Sequence, residues 1–214
     1  MSLAWSSEES SYNYTGRKVK CASVLKPLYA WIGTNNRNIA YEAIAKSNNI
    51  ATSIILNNSG GLSSMLEKIY ERTGVKWESN STWGQVDVTA PELLIAYNAM
   101  RENKDRWTRD IIYMMQKSLP SQRLGIDSFW VNKEKLAIKI GWDLDISKNS
   151  LNTLAVAFDT KSIIAICSKE AISKITSKYW QELLDKKGPQ AVLVLHKEGY
   201  NDVKNSIRNM YNIN

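Results

Sequence analysis

The sequence predicts an α/β protein in which a helical half precedes a sheet half, and three observations carry that prediction. Apolar residues recur at helical spacing from Val24 into the segment 106–117. Beyond Pro120 the texture changes to short runs rich in β-branched residues: Leu136-Ala-Ile-Lys-Ile, Leu154-Ala-Val-Ala-Phe and Ile163-Ile-Ala-Ile-Cys. Turn residues such as Asp145 and Asp159-Thr-Lys separate these runs, which is the pattern of an antiparallel meander. With 214 residues, 43% of them hydrophobic, the chain is long enough for one substantial core. We expect a single domain over 1–214, its helical half at about 22–120 and its sheet half at about 130–214 with an N-terminal arm, 1–20.

Taken in order, residues 5–14 scatter aromatics among Ser and Glu, the texture of a short strand or ordered arm that leads to a turn at Thr15-Gly16. From Ala22, the apolar set Val24, Leu25, Leu28, Tyr29, Trp31 and Ile32 has helical spacing, and Gly33-Thr-Asn-Asn stops it. A second helix is expected from about Asn38 to Ala45. Ser47-Asn-Asn separates it from a third, Ala51 to Leu56, which Gly60-Gly61 closes. Ser63 to Thr73 forms a fourth, and Trp77 to Val88 lacks apolar periodicity and reads as a loop. Pro91 opens the next helix where its missing N–H costs little, and Arg106 to Lys117 is helical again. After the meander, Ala171 to Lys187 reads as an amphipathic helix, Ala191 to His196 as a strand and Asn201 to Met210 as a last helix.

Composition narrows the function. No run of about 18 apolar residues occurs, so no membrane span is expected, and the start Met1-Ser-Leu-Ala-Trp-Ser-Ser-Glu-Glu-Ser is too polar for a secretory signal. A cytosolic protein is expected, or an exported one from which a signal has been removed. The net charge of +7 is spread along the chain and interleaved with acids, so nucleic acid is not the expected partner. Two cysteines, Cys21 and Cys167, and one histidine, His196, argue against a structural zinc site and against metal catalysis. No cofactor is expected. His196 sits in an apolar run with no acid or serine motif nearby, and a structural role is expected for it.

Three short elements, in order, carry the chemistry: Ser23-x-x-Lys26, the segment opening Ser47-Asn-Asn49, and Lys139-x-Gly141. A serine hydroxyl is a weak nucleophile until a neighbour takes its proton. Lys26, three residues after Ser23, projects from the same helical face, and burial beside another cation such as Lys139 would lower its pKa enough to make it a base.

These residues resemble the penicillin-recognising serine hydrolases, the superfamily of class A β-lactamases and D-alanyl-D-alanine peptidases. The likeness lies in Cys21-Ala-Ser-Val-Leu-Lys-Pro-Leu-Tyr-Ala at a buried helix start, in Ser47-Asn-Asn and its Ala-containing helix ending at Gly60-Gly61, in Thr89-Ala-Pro-Glu, in Ser121-Gln-Arg-Leu-Gly-Ile and in the strands from Leu136 to Cys167. It spans roughly 20–187. Thr82-Trp-Gly-Gln and Lys139-Ile-Gly-Trp are similar to a little-characterised bacterial branch of that superfamily. The resemblance implies a β-lactamase/transpeptidase-like fold with a reduced helical half and an antiparallel sheet flanked by helices.

It also implies roles. Ser23 would be the nucleophile, Lys26 its base and Ser47 the proton relay to the leaving group, while Asn49 would hold Lys26 and a substrate carbonyl. Lys139 would attract a substrate carboxylate, and Gly141 would leave room for substrate along the strand. The N–H groups of Ser23 and Trp142 would form an oxyanion hole. The implied activity is hydrolysis or acyl transfer on a small-molecule or peptide substrate, an amide or ester such as a β-lactam or peptidoglycan-like peptide.

Departures from the family pattern bear on that activity. Only 24 positions separate Ser23 from Ser47, so a smaller helical half and a more open cleft are expected. The loop 77–88 lacks the Glu-x-x-x-Asn that positions a deacylating water in class A enzymes, and its acids are Glu78 and Asp87. Ile140 stands where the family has Thr or Ser. The N-terminus reads as too short for the two leading strands of the family sheet, which leaves the strand 191–196 to fill the place beside Ile163 to Cys167. Two alternatives stand beside the enzyme: a ligand-binding or regulatory module with little turnover, and a protein-interaction surface built on Trp77, Trp83, Trp130 and Trp142.

Overall fold

The computed structural model describes residues 2–6, 11–14, 16, 18–78, 82–119, 123, 135–145, 147–148 and 150–171. Its first elements are strands β1 (Ser2–Ser6), β2 (Ser11–Tyr14) and the two-residue β3 (Val19–Lys20). A 3-10 turn, Ala22–Leu25, runs directly into α1 (Lys26–Gly33). Then come α2 (Arg37–Ala45), α3 (Asn49–Asn58) and α4 (Gly61–Thr73), a 3-10 turn at Trp83–Gln85, the short β4 (Asp87–Val88), α5 (Ala90–Glu102) and α6 (Arg106–Gln116). Strands β5 (Ala137–Asp145), β6 (Ser150–Phe158) and β7 (Ile163–Ala171) form the meander. The α/β class and the division into helices and a later antiparallel sheet are as the sequence predicts.

Local chemistry explains where the helices begin. Asn36 Oδ1 accepts from the N–H groups of Asn38 and Ile39, and Asn48 Oδ1 accepts from those of Ile50 and Ala51. Each satisfies amides that the first turn of a helix leaves unpaired. Asn48 thus makes Asn49 the first helical residue of α3, two positions ahead of the expected start. Thr89 and Glu92 cap α5 reciprocally, and Asp105 caps α6. Gly74, at φ +72°, ends α4 in a conformation that side-chain-bearing residues rarely adopt.

The five-stranded sheet has the order β2-β1-β7-β6-β5, with antiparallel pairing throughout. This corrects the expectation at the N-terminus, because the two leading strands are present as the hairpin β1–β2. A strand has two hydrogen-bonding edges, and those of β7 are taken by β6 and by β1, with Ala4 opposite Ala165. No edge of β7 is open beside Ile163 to Cys167 for the strand expected at 191–196, which itself lies outside the described residues. So do the expected helix and terminal elements over 172–214, His196, Trp130 and, apart from Arg123, the segment 121–126. Ala171, the expected first residue of that helix, is the last residue of β7.

The core runs between the sheet and the helices. Leu28, Tyr29, Ile44, Ile69, Leu93, Tyr97 and Met115 meet Leu154, Val156, Phe158 and Cys167 there. Helix α1 is buried along most of its length, so its N-terminus opens from the interior of the protein and not from its surface. Both cysteines are buried free thiols. No helix among the described residues is long and apolar enough to cross a membrane.

Candidate active site

The 3-10 turn that carries Ser23 is held from three sides. The Cys21 N–H donates to the Val86 carbonyl at 2.8 Å, the Tyr97 hydroxyl donates to the Val24 carbonyl, and β5 presses on the turn at Gly141. A methyl group added at Gly141 would lie 2.8 Å from the amide nitrogens of Ser23 and Val24 and 3.0 Å from the Cys21 carbonyl oxygen. The glycine is therefore needed because the Ser23 turn occupies the space where its side chain would lie, and it also lines the cavity. Ala22 precedes Ser23 at φ +45°, and Ser47 lies at φ +58°. Left-handed backbone at a non-glycine residue costs on the order of 1–3 kcal/mol. Here it falls on the two segments that carry the candidate serines.

In a 3-10 turn residues three apart eclipse one another, which sets Ser23 and Lys26 on one face. Lys26 is fully buried. Its Nζ donates to the Ser47 carbonyl at 2.5 Å and to Asn49 Oδ1 at 2.7 Å, and lies 3.4 Å from Ser47 Oγ. Lys139 Nζ donates to the same Ser47 Oγ from the other side at 2.8 Å. Two buried lysine amino groups thus converge on one hydroxyl. Ser23 is half-buried on the same cavity, and among the described residues its hydroxyl makes no hydrogen bond, with Lys26 or with any other group.

Burial pushes the Lys26 amine down from 10.5 to about 7. Lys139 is driven well below the ordinary lysine value, first by burial and then by the neighbouring Lys26 charge. The indole of Trp83 covers Lys26, with Nζ 4.8 Å from the ring centroid. Its carbonyl accepts from Tyr29 OH at 3.0 Å and from Cys21 Sγ at 3.1 Å. Burial raises the Cys21 thiol to about 12, so it stays a protonated donor and not a nucleophile.

The cavity has a volume of about 570 Å³ and is lined by Ser23, Ser47, Asn49, Gly141 and Trp142 of the expected set, together with Ala22, Thr82, Trp83, Gly84, Gln85, Ile140 and Asp143. Lys26 and Lys139 stand behind its wall. Lys139 is 2% exposed and donates to Ser47 Oγ at 2.8 Å. Neither acid of the 77–88 loop reaches the cavity. Glu78 borders a separate hollow on α4, and Asp87 pairs with Lys20 at 3.0 Å.

Sequence reasoning missed the contributions of Trp83 and Asp143. The Thr82-Trp-Gly-Gln segment was the available signal for the first, and the position of Asp143 two residues beyond Gly141 on the same strand was the signal for the second. Of the tryptophans offered as an interaction surface, Trp77 is buried and donates to Glu92, while Trp83 and Trp142 are half-buried in the cavity. Among the described residues no group of three or more His, Cys, Asp or Glu is placed to hold a metal ion.

No protein-family model matches the sequence, and no curated protein matches it. Solved structures do. A β-lactamase from Streptosporangium roseum matches with a TM-score of 0.60 at 11% identity, over 92% of this chain and 91% of that one. A class A β-lactamase from Bacteroides cellulosilyticus matches at 0.63 and 12%, over 89% and 87%, and one from Mycobacterium abscessus at 0.61 and 9%, over 83% and 86%. At such identities the likeness speaks for the backbone and not for the reaction. The chain has the fold of the class A β-lactamases, that of the penicillin-recognising serine hydrolases.

Proposed function

We propose that the protein is a serine acyltransferase or hydrolase that works through an acyl-Ser23 intermediate on an amide or ester, with the whole chain 1–214 acting as one unit. The observation that supports it most directly is the sharing of Ser47 Oγ between two buried amines, at 3.4 and 2.8 Å, in the wall of a cavity that Ser23 lines. In the proposed first step Ser23 Oγ attacks the acyl carbonyl carbon and its proton passes to neutral Lys26 Nζ. Lys26 must then exchange one of its present acceptors for Ser23 Oγ, a tightening common when substrate enters. The carbonyl oxygen gains charge and is held by the N–H groups of Ser23 and Trp142. As the bond to the leaving group breaks, Ser47 gives that group its proton and is resupplied from the lysine side.

Asn49 holds Lys26 through its carbonyl oxygen, which leaves its amide N–H₂ for a substrate carbonyl. Lys139 polarises Ser47 through the hydrogen bond that it donates to the hydroxyl. The absence of a loop carboxylate in the cavity, among the described residues, favours a long-lived acyl-enzyme. An acceptor other than water, or slow turnover that makes the protein in effect a ligand-binding module, follows from that. The reading is tested by intact-mass analysis after incubation with an activated acyl ester. A single adduct, lost in Ser23→Ala, is expected. No adduct, or one that persists in that variant, refutes it, and steady multiple turnover on any ester rejects the binding-module alternative.

A further inference from the structure

The cavity that receives the acyl group has one ionisable side chain in its lining among the described residues, and it is an acid, Asp143. Strand alternation puts Lys139, Gly141 and Asp143 on the same face of β5. The three do different things there: Lys139 is buried against Ser47, Gly141 backs onto the Ser23 turn, and Asp143 faces the cavity. Four residues of strand set Lys139 and Asp143 about 13 Å apart along that face, with Ser23 beside the midpoint.

Asp143 is also held in place. Gln85 Nε2, from the turn that carries Trp83, donates to its Oδ1 at 3.0 Å. Asn152 Nδ2, from its cross-strand partner position on β6, donates to its Oδ2 at 3.2 Å. Asn152 is 3% exposed, and its own Oδ1 is buried without a hydrogen bond. Leaving such an atom unpaired is unfavourable, and the residue's one satisfied side-chain contact is the one that fixes Asp143. Both donors are neutral amides, among the described residues no cation pairs with the carboxylate, and its oxygens keep lone pairs for a further donor. Asp143 is half-buried, and Ile140, elsewhere in the lining, brings an apolar side chain and no hydroxyl.

We infer that Asp143 sets substrate choice, selecting acyl donors that carry a protonated amine next to the reacting carbonyl portion and rejecting those that carry a carboxylate there. This rests on the acyl-Ser23 reading above and narrows it to a substrate class: cationic esters or amides, aminoacyl groups among them. A carboxylate brought to this end of the cavity meets a like charge, while an ammonium meets a charge-assisted acceptor.

The experiment uses three nitrophenyl esters of equal length that end in an ammonium, a methyl or a carboxylate group. In each, Ser23 Oγ bonds to the acyl carbon, nitrophenolate leaves, and the serine proton goes to Lys26. Acylation is followed by nitrophenolate release and confirmed by intact mass in the wild type, Ser23→Ala, Asp143→Asn and Asp143→Lys. We expect the ammonium ester to acylate Ser23 at least about tenfold faster than the carboxylate ester, as one screened charge contact within hydrogen-bond reach allows. The ratio should fall toward unity in Asp143→Asn and invert in Asp143→Lys, both variants being checked for folding by circular dichroism. If the methyl ester labels Ser23 but the charged esters react alike, or the ratio survives both substitutions, the inference is overturned while the acyl-serine reading stands. If no ester labels Ser23, both fall together.

Discussion

Lys26 is the residue on which the chemistry turns, and its titration can be read in a rate. Burial brings the amine from 10.5 to about 7. At neutral pH about half of the molecules would then hold a neutral amine, whereas a lysine at 10.5 would be neutral in roughly one molecule in 3000. With Lys26 as general base, the rate constant for Ser23 acylation by an uncharged ester should climb tenfold per pH unit below about 7, bend there and level above about 8. Single-turnover nitrophenolate release between pH 5 and 10, corrected with Ser23→Ala, measures it. Lys26→Arg keeps the charge but cannot deprotonate, and should lower the plateau by roughly 10²–10⁴-fold. A profile that keeps rising to pH 10, or one flat from pH 5 to 9, would refute the argument.

The same titration appears in stability. Between pH 7 and 10.5 the unfolded chain binds a proton at Lys26 that the folded one does not, so stability should rise with pH across that window, by at most roughly 5 kcal/mol; urea midpoints in wild type and Lys26→Met measure it, and equal slopes would count against burial as the cause. Gly141→Ala drives a methyl group into three backbone atoms at 2.8–3.0 Å, and should cost about 1–3 kcal/mol and slow acylation. Gly84→Ala, whose new carbon would meet Ala22 Cα at 3.8 Å, should change the melting temperature little. Thr89→Ala removes the side-chain half of the α5 capping box and should cost about 0.5–2 kcal/mol by thermal melts; an unchanged melt would mean that the box carries no stability.

Helix starts were legible to within about two residues because their causes are local. Asn48 and Thr89 each satisfy amides two or three residues away, and an eye on the sequence sees both partners at once. The strands of the meander were legible for the same reason, since β-branched runs and Asp-containing turns are adjacent in the chain. The spacing of Ser23 and Lys26 puts them on one face however that helix packs.

Other features depend on distant partners. Pairing of β1 with β7 brings residue 4 against residue 165, and no periodicity in either strand names the other. The tertiary structure also decided what Gly141 is for, because the reason lies in a turn nearly 120 residues earlier in the chain. It placed Lys139 as a buried donor to Ser47, and among the described residues it left Asp143 as the charge that faces the cavity. Local propensities act through neighbours in the chain. Burial and the close approach of charges depend on how separate stretches of backbone stack, and in this protein the electrostatics of the site come from that stacking.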